Sequence, residues 1–306
     1  MIRTLGTIFA GLLGLAFGSF LNVCLSRWPE GESVVRPRSH CRQCGRTLTW
    51  WENLPLVSWL ALGGRCRSCK CWIGWHYPFI EAVVGALWAI AFFHATAQFD
   101  PLASNALIAI FFAETALEWL FLWLLVALAA LDAKHLWLPD WLTLPGAALG
   151  LLVAAARPWA QFLAEATTSQ PQSSGWVEAK FVLWMAGLYR LAAIFMAAGL
   201  ILVIRWLYQW VRKQEGLGLG DAKLMALLAA WLGLRGTLVA FVLAVTLGLI
   251  AALFLLIQPK AADPEAAWSQ KRLPLGTFLC IGGMISALWG TPILEAYLRW
   301  AMGGSF

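Results

Sequence analysis

Apolar residues occupy this chain in long unbroken blocks, and polar residues are confined to the gaps between them. Residues 5–25 carry no charge for 21 positions. Similar blocks cover roughly 77–97, 111–131, 139–157, 181–204, 219–235, 237–257 and 275–297. A helix needs ~20 apolar residues to cross ~30 Å of hydrocarbon, so the pattern predicts an all-α polytopic membrane protein with about eight transmembrane helices. A membrane β-barrel would alternate polar and apolar positions in ~10-residue segments. Here the blocks are continuous and rich in Leu and Ala. The first block exceeds the ~7–15 apolar residues of a signal peptide. It ends in Asn22-Val23-Cys24-Leu25-Ser26-Arg27, so it is expected to be a retained span. Residues 98–110 are apolar enough for an interfacial helix, and 159–179 are predicted as a polar loop. No convincing internal repeat is evident.

Composition sharpens this picture. Of 306 residues, 61% are hydrophobic and 12% charged, about half the ~25% charged fraction of soluble domains. A soluble globular protein is excluded. The net charge of +6 reports topology before it reports nucleic acid, because Lys and Arg mark the cytoplasmic loops of membrane proteins. Segment 26–75 carries eight basic residues, the 132–138 turn one, the 205–223 loop four and the 258–273 loop three. The opposite side has five, and Arg190 lies inside a span. This asymmetry predicts segment 26–75 in the cytoplasm and both termini outside. The expected surroundings are membrane lipid, with no nucleic acid. Many of the 20 Trp fall near span ends, among them Trp28, Trp137, Trp206 and Trp300, as in an interfacial belt.

Segment 26–75 interrupts the pattern and holds five of the seven cysteines. Cys41-Arg42-Gln43-Cys44 and Cys66-Arg67-Ser68-Cys69 form two C-x2-C knuckles with 21 residues between them. Four thiolates suit tetrahedral zinc, and a metal supplies folding energy to a segment with little core. Cys41, Cys44, Cys66 and Cys69 are therefore the expected ligands of a structural Zn2+. The alternative is a set of reduced cysteines or a redox pair. Cys71 is expected to be a spectator able to compete for the metal, and Cys24 and Cys280 to be apolar packing residues.

The chain has five aspartates. Asp132 closes the third span, and Asp221 follows Gly216-Leu217-Gly218-Leu219-Gly220 and opens the sixth. Both are predicted at the cytoplasmic membrane boundary, where ionisable groups are functional candidates. Asp140, after Pro139, is most simply a helix N-cap, and Asp221 has the same alternative. The glycine run lacks the G-x-G-x-x-G spacing and preceding strand of a nucleotide loop. As a pair, Asp132 and Asp221 suit aspartic-protease chemistry, in which two carboxyls share one proton. The ionised member activates water and the protonated one polarises the scissile carbonyl. Asp221 sits at a helix N-terminus and Asp132 at a C-terminus, so the macrodipole predicts Asp221 as base and Asp132 as acid. Gly218 and Gly220 allow close backbone approach to an extended substrate, or else serve as a hinge.

The chain resembles the bacterial type IV prepilin peptidases along nearly its whole length. The resemblance is carried in order by Gly18-Ser19-Phe20-Leu21-Asn22-Val23, the paired knuckles, Asn53-Leu54-Pro55-Leu56-Val57-Ser58-Trp59-Leu60 and Tyr77-Pro78-Phe79-Ile80-Glu81. Asp132, Leu138-Pro139-Asp140, Gly218-Leu219-Gly220-Asp221-Ala222-Lys223-Leu224 and Pro274-Leu275-Gly276-x-Phe278 follow. The G-x-G-D element resembles the signature of intramembrane aspartic peptidases. The resemblance implies that Asp132 and Asp221 are catalytic, with Gly218, Gly220 and Lys223 positioning substrate. It implies a bacterial inner-membrane enzyme that removes the basic leader of type IV prepilins or type II secretion pseudopilins after a glycine, on the cytoplasmic side. It further implies N-methylation of the new terminus with S-adenosylmethionine as donor. The expected organisation is a first span over 1–25, a cytoplasmic zinc insert tied to methyl transfer over 26–75, and a peptidase core over 76–306. Glu30, Glu32, Glu52 and Asp140 are candidates to meet the basic leader. Glu81 either pairs with an insert arginine or serves methyl transfer. The competing functions are a peptidase without methyl transfer, a transporter coupling through Asp132, Asp221 and Arg190, and a zinc-stabilised membrane scaffold.

Overall fold

The computed structural model describes residues 2–97, 99, 104–166, 175–213, 218–257 and 273–302. Its helices are α1 (Ile2–Arg27), α2 (Val57–Ala61), α3 (His76–Ala95), α4 (Asn105–His135), α5 (Asp140–Ala166), α6 (Gly175–Arg212), α7 (Leu219–Ile257) and α8 (Leu275–Ala301). Seven of them are long and apolar enough to cross a membrane. Their outward faces carry large apolar side chains such as Phe9, Leu12, Phe195 and Phe254, as a lipid solvent allows. The helices overrun their predicted ends. Ser104 caps α4 by accepting from the Leu107 N–H at 3.4 Å, so residues from Asn105 onward join the span instead of forming a separate interfacial helix. The polar loop expected over 159–179 is shorter, because α5 continues to Ala166 and α6 begins at Gly175. Residues 167–174, 214–217 and 258–272 of the predicted loops lie outside the described residues.

The chain forms two compact units. The first comprises Met1–Leu102 with Phe111–Ala127, and the second Ala103–Ile110 with Leu128–Phe306. The division differs from the one expected at 75/76, since α3 belongs with α1 and the insert. The reason is a seam of small residues that brings two backbones together. A Cβ at Gly14 would lie 2.9 Å from Gly85 Cα, and one at Gly18 would lie 2.7 Å from Glu81 Cα. Trp88 and Trp119 then lock α3 to the middle of α4. Each indole N–H donates to the other residue's carbonyl, at 3.0 and 3.1 Å, and the rings stack 4.8 Å apart.

In the second unit, α7 contains one non-helical residue, Gly233, with φ 70 and ψ 179. That backbone conformation is open to glycine and closed to residues with a Cβ. The chain doubles back there. Gly220, at the start of α7, and Gly276, at the start of α8, both lie against Leu138, at 3.3 and 3.1 Å from an added Cβ. Gly248 lies against Phe278 at 3.6 Å, and Ser286 donates to the Gly236 carbonyl at 2.7 Å. Only a reversal at Gly233 brings both Gly220 and Gly248 to the same end of α8. The two blocks predicted as separate spans are thus two limbs, 219–232 and 234–257. The first rises only about 21 Å at 1.5 Å per residue, less than the ~30 Å hydrocarbon thickness.

A helix end leaves carbonyls without partners, and here Arg190 of α6 supplies them. Its Nη1 donates to the Ala229 and Trp231 carbonyls at 3.5 and 3.1 Å. The charge inside a predicted span is therefore the cap of the short limb. Trp231 in turn donates to the Gly146 carbonyl of α5 at 2.9 Å. The limb is held at its far end by α5 and α6, with Asp221 at its near end.

Candidate functional site

In the second unit, four chain segments meet around Asp132. The acidic end of α4 stops because Leu136 adopts left-handed φ 50, ψ 40 and its N–H returns to the Asp132 carbonyl at 2.9 Å. The following turn presents Leu138 to Gly220 and Gly276. The start of α8 delivers Thr277, whose N–H and hydroxyl approach Asp132 Oδ2 at 2.6 and 3.1 Å. The same hydroxyl lies 3.2 Å from the Ala129 carbonyl. Asp132 is buried, with 6% of its surface exposed. A Cβ at residue 276 would sit 2.8 Å from Oδ2, so glycine is required for this approach.

Asp221 lies in the first turn of α7 and accepts from the Gly218 N–H at 3.3 Å. It therefore closes its own helix end and also stands within direct electrostatic reach of Asp132. Cys280, one turn beyond Thr277, is fully buried and feels both carboxylates. Its packing environment matches the expectation for this cysteine, and its position beneath the pair was not foreseen.

The start of α8 adds a second helix end to the dipole argument that divides acid from base. Asp132 sits at the C-terminus of its own helix and also against the N-terminal N–H of Thr277 on another. Local sequence reveals only the first of these two opposing dipoles. Thr277 was the unassigned position in Pro274-Leu275-Gly276-x-Phe278. The available signal was a hydroxyl residue beside a glycine at a helix start.

The other candidate residues are engaged as follows. Lys223 pairs with Asp140 at 2.6 Å, so Asp140 joins α5 to α7 through an ion pair. Glu30 pairs with Arg42 at 3.3 Å and Glu52 with Arg46 at 2.6 Å. Among the acidic residues considered for a basic leader, three are thus committed within the chain. Glu81 accepts the Leu56 N–H at 2.8 Å and faces the Ser19 and Asn22 side chains, so its partner is the insert backbone and not an arginine. Asn22 also donates to the Tyr77 carbonyl at 3.0 Å. These bonds tie together the motifs around residues 18–22, 53–56 and 77–81.

The insert consists of two small hairpins, each pinned by one bridge, His40 with Thr47 and Arg65 with Trp72. They share a local plan that the sequence did not reveal as a repeat. Cys41 and Cys66 accept the N–H of the residue four positions on, Gly45 and Lys70, at 2.8 and 3.0 Å through their carbonyls. Both of those residues have left-handed φ, 70 and 57. The first sulfur of each knuckle also faces backbone N–H groups, from Gln43 and Cys44 in one and from Ser68 and Cys69 in the other.

These contacts set the thiol chemistry. Partial burial opposes ionisation of Cys41, but the Cys44 and Gln43 N–H groups and the thiols of Cys71 and Cys44 hold it down at about 6. The N–H groups of Cys69 and Ser68 likewise lower Cys66. At Cys44 the Arg46 N–H favours the thiolate. Desolvation and the neighbouring sulfurs of Cys41, Cys69 and Cys66 outweigh it and push Cys44 up to about 11.

The Sγ atoms of Cys41, Cys66, Cys69 and Cys71 lie within 4.8 Å of one another. Cys41 is 3.8 Å from Cys69 and 3.6 Å from Cys71. Four thiolates at ~2.3 Å around a tetrahedral ion stand about 3.8 Å apart, so this cluster is able to chelate a metal. Cys71, expected to be a spectator able to compete for the metal, is a member of it, and Cys44, an expected ligand, lies outside it.

Two family models match the chain. Residues 12–95 match the Bacterial Peptidase A24 N-terminal domain, and residues 119–253 match the Type IV leader peptidase family. The chain is similar to the prepilin leader peptidase/N-methyltransferase of Pseudomonas aeruginosa, 32% identical over 313 residues that cover 95% of this chain and 92% of that protein. The protein of the same description from Burkholderia pseudomallei is 33% identical over 320 residues, covering 93% and 85%. That from Myxococcus xanthus is 32% identical over 265 residues, covering 86% and 67%. No solved structure matches the chain. With relatives this similar along nearly its full length, the chain belongs to the type IV leader peptidase family.

Proposed function

We propose that this protein is a membrane aspartic endopeptidase that removes the basic leader from type IV prepilins or type II secretion pseudopilins after a glycine, and that it N-methylates the new terminus. The observation that carries the peptidase reading is that the start of α7 bearing Asp221 and the start of α8 that anchors Asp132 through Thr277 both lie against Leu138, with Asp221 within electrostatic reach of Asp132. The positive-inside asymmetry supports a cytoplasmic side for the carboxyl site and for the cysteine insert. A prepilin whose apolar helix is still embedded in lipid then presents its cleavage site at the interface, beside the carboxyl pair.

The Thr277 N–H, 2.6 Å from Oδ2 of Asp132, favours that oxygen as the acceptor. The shared proton of the pair therefore sits on Asp132 Oδ1 or on Asp221, and Oδ1 is the oxygen through which Asp132 engages water. The ionised carboxylate takes a proton from the attacking water as it adds to the glycyl carbonyl. The protonated carboxyl donates to that carbonyl oxygen, and on collapse of the tetrahedral adduct a carboxyl proton passes to the departing amine. Gly218 and Gly220 lie in the segment entering α7, where an extended peptide approaches the pair. Lys223, held by Asp140, fixes that segment against α5.

Zn2+ bound by the insert thiolates supplies folding energy to a segment without its own core and, being closed by four sulfurs, no open catalytic position. S-adenosylmethionine is the second substrate. No β-sheet occurs among the described residues, so the donor is not assigned to a Rossmann turn.

The test is reconstitution with a purified prepilin, comparing wild type with Asp132→Asn and Asp221→Asn. Both variants are expected to reduce leader removal to background while still methylating an already cleaved pilin. Retained cleavage in either variant removes that aspartate from the chemistry.

A further inference from the structure

The insert brings more sulfur to one place than a tetrahedral ion uses. Cys41, Cys66, Cys69 and Cys71 have Sγ atoms within 4.8 Å of one another. Cys44 lies outside that group, but the paired C-x2-C spacing joins it to Cys41, Cys66 and Cys69, and its thiol interacts with theirs. Cys41, Cys66 and Cys69 are therefore common to two overlapping tetrahedra. Cys44 completes one and Cys71 the other. The Cys41–Cys69 and Cys41–Cys71 separations, 3.8 and 3.6 Å, both approach the ~3.8 Å edge of a four-thiolate zinc site.

We propose that Cys44 and Cys71 exchange as the fourth ligand of this metal, so that five thiols serve one Zn2+ and one sulfur is always free. The inference rests on the zinc reading above and extends it to a residue outside the paired knuckles. Cys71 is held on the return side of the second hairpin by the Cys66 N–H, which donates to its carbonyl at 2.9 Å, and by the adjacent Arg65–Trp72 bridge. Cys44 closes the first knuckle. In the exchange the Zn–S bond to Cys44 breaks and one to Cys71 forms. The Cys71 thiol gives its proton to solvent, and the released Cys44 thiolate takes one up. Four thiolates remain on the ion throughout, and no electron is transferred.

The two states differ in exposure. Cys44 and Cys69 are exposed, Cys41 and Cys71 half-buried and Cys66 buried. The Cys71-bound ion is thus the more enclosed, and the Cys44-bound ion leaves the free thiol on the second hairpin. Such a site keeps its metal when either thiol is lost to oxidation or alkylation.

The experiment uses the full chain in detergent, loaded with zinc and in parallel with Co2+. Zinc content is measured by elemental analysis, affinity by competition with a chromophoric chelator, and thiolate number by the cobalt charge-transfer spectrum. Cys44→Ser and Cys71→Ser are each expected to hold one zinc per chain with a four-thiolate cobalt spectrum. The Cys44→Ser/Cys71→Ser double variant is expected to bind zinc at least tenfold more weakly and to give a three-thiolate spectrum. In the zinc-loaded wild type, brief alkylation followed by peptide mass spectrometry is expected to divide the label between Cys44 and Cys71. Label confined to one of the two, or a single variant that loses metal as fully as the double, overturns the exchange and leaves a fixed tetrad. A zinc-free wild type overturns the metal reading itself, and this outcome is distinct from the others because no variant then changes metal content.

Discussion

Thr277→Val is the sharpest perturbation of the carboxyl pair, because it keeps side-chain shape and removes one proton. The backbone N–H of residue 277 stays 2.6 Å from Asp132 Oδ2, so the carboxyl group keeps its main anchor. The lost hydroxyl contact is 3.1 Å long. A hydrogen bond to a charged acceptor contributes about 1.5–3 kcal/mol. Here the single hydroxyl proton has a second acceptor, the Ala129 carbonyl at 3.2 Å, so the lower end applies. About 1.5 kcal/mol corresponds to roughly a tenfold fall in rate. The residue touches the carboxyl group and not the peptide, so kcat is expected to fall with KM little changed. The assay is leader removal from a purified prepilin at several substrate concentrations, with thermal melting of each variant as a control. Thr277→Ser, which restores the hydroxyl, is expected within about threefold of wild type, less than the ~1.4 kcal/mol that equals a tenfold change. Cleavage by Thr277→Val at the wild-type rate would falsify the positioning role. Equal losses in the Val and Ser variants would instead make the methyl packing, and not the donor, responsible.

Three further outcomes follow from neighbouring contacts. Gly276→Ala inserts a Cβ 2.8 Å from Asp132 Oδ2, and is expected to cut kcat by roughly tenfold or more, the equivalent of ~1.4 kcal/mol, with melting little changed. Arg190→Met leaves the Ala229 and Trp231 carbonyls without their cap. Its expected cost is about 2 kcal/mol or more for stranded buried acceptors, read as a lower melting temperature in detergent with Arg190→Lys intermediate. The Thr49 N–H and hydroxyl, with Arg46 adding to them against the cost of burial, hold the Glu52 carboxyl below the usual glutamate value of 4.5. That stabilisation is present above 4.5 and is lost as pH falls through the depressed native value. Amide exchange in residues 46–52 is therefore expected to accelerate on acidification in wild type. In Glu52→Gln the exchange is expected to be faster at neutral pH and to lose this dependence, and an unchanged profile in the variant would count against it.

The chain's membrane character, most of its helices and the residues of its two candidate centres were legible in its residues taken in order. Continuous apolar blocks report helices in lipid because composition and length alone decide that partition. The knuckles are local, since two ligands separated by two residues share one turn. Asp132 and Asp221 were marked by being ionisable at span ends. Contacts between distant residues were not legible, for each depends on which helix end arrives beside another. The N-terminus of α8 is 145 positions from Asp132, and its dipole opposes the one that local sequence reveals. Arg190 looked like an isolated charge in a span until the reversal at Gly233 brought carbonyls to it. C-x2-C spacing assigns ligands in pairs and leaves Cys71 a spectator or a competitor, whereas the folded insert gathers Cys41, Cys66, Cys69 and Cys71 by distance. Sequence alone determined where lipid, thiolates and carboxyls belong along the chain. Tertiary structure alone decided which donors and acceptors meet, because the hydrogen bonds that orient a site act over about 3 Å and are blind to separation along the chain.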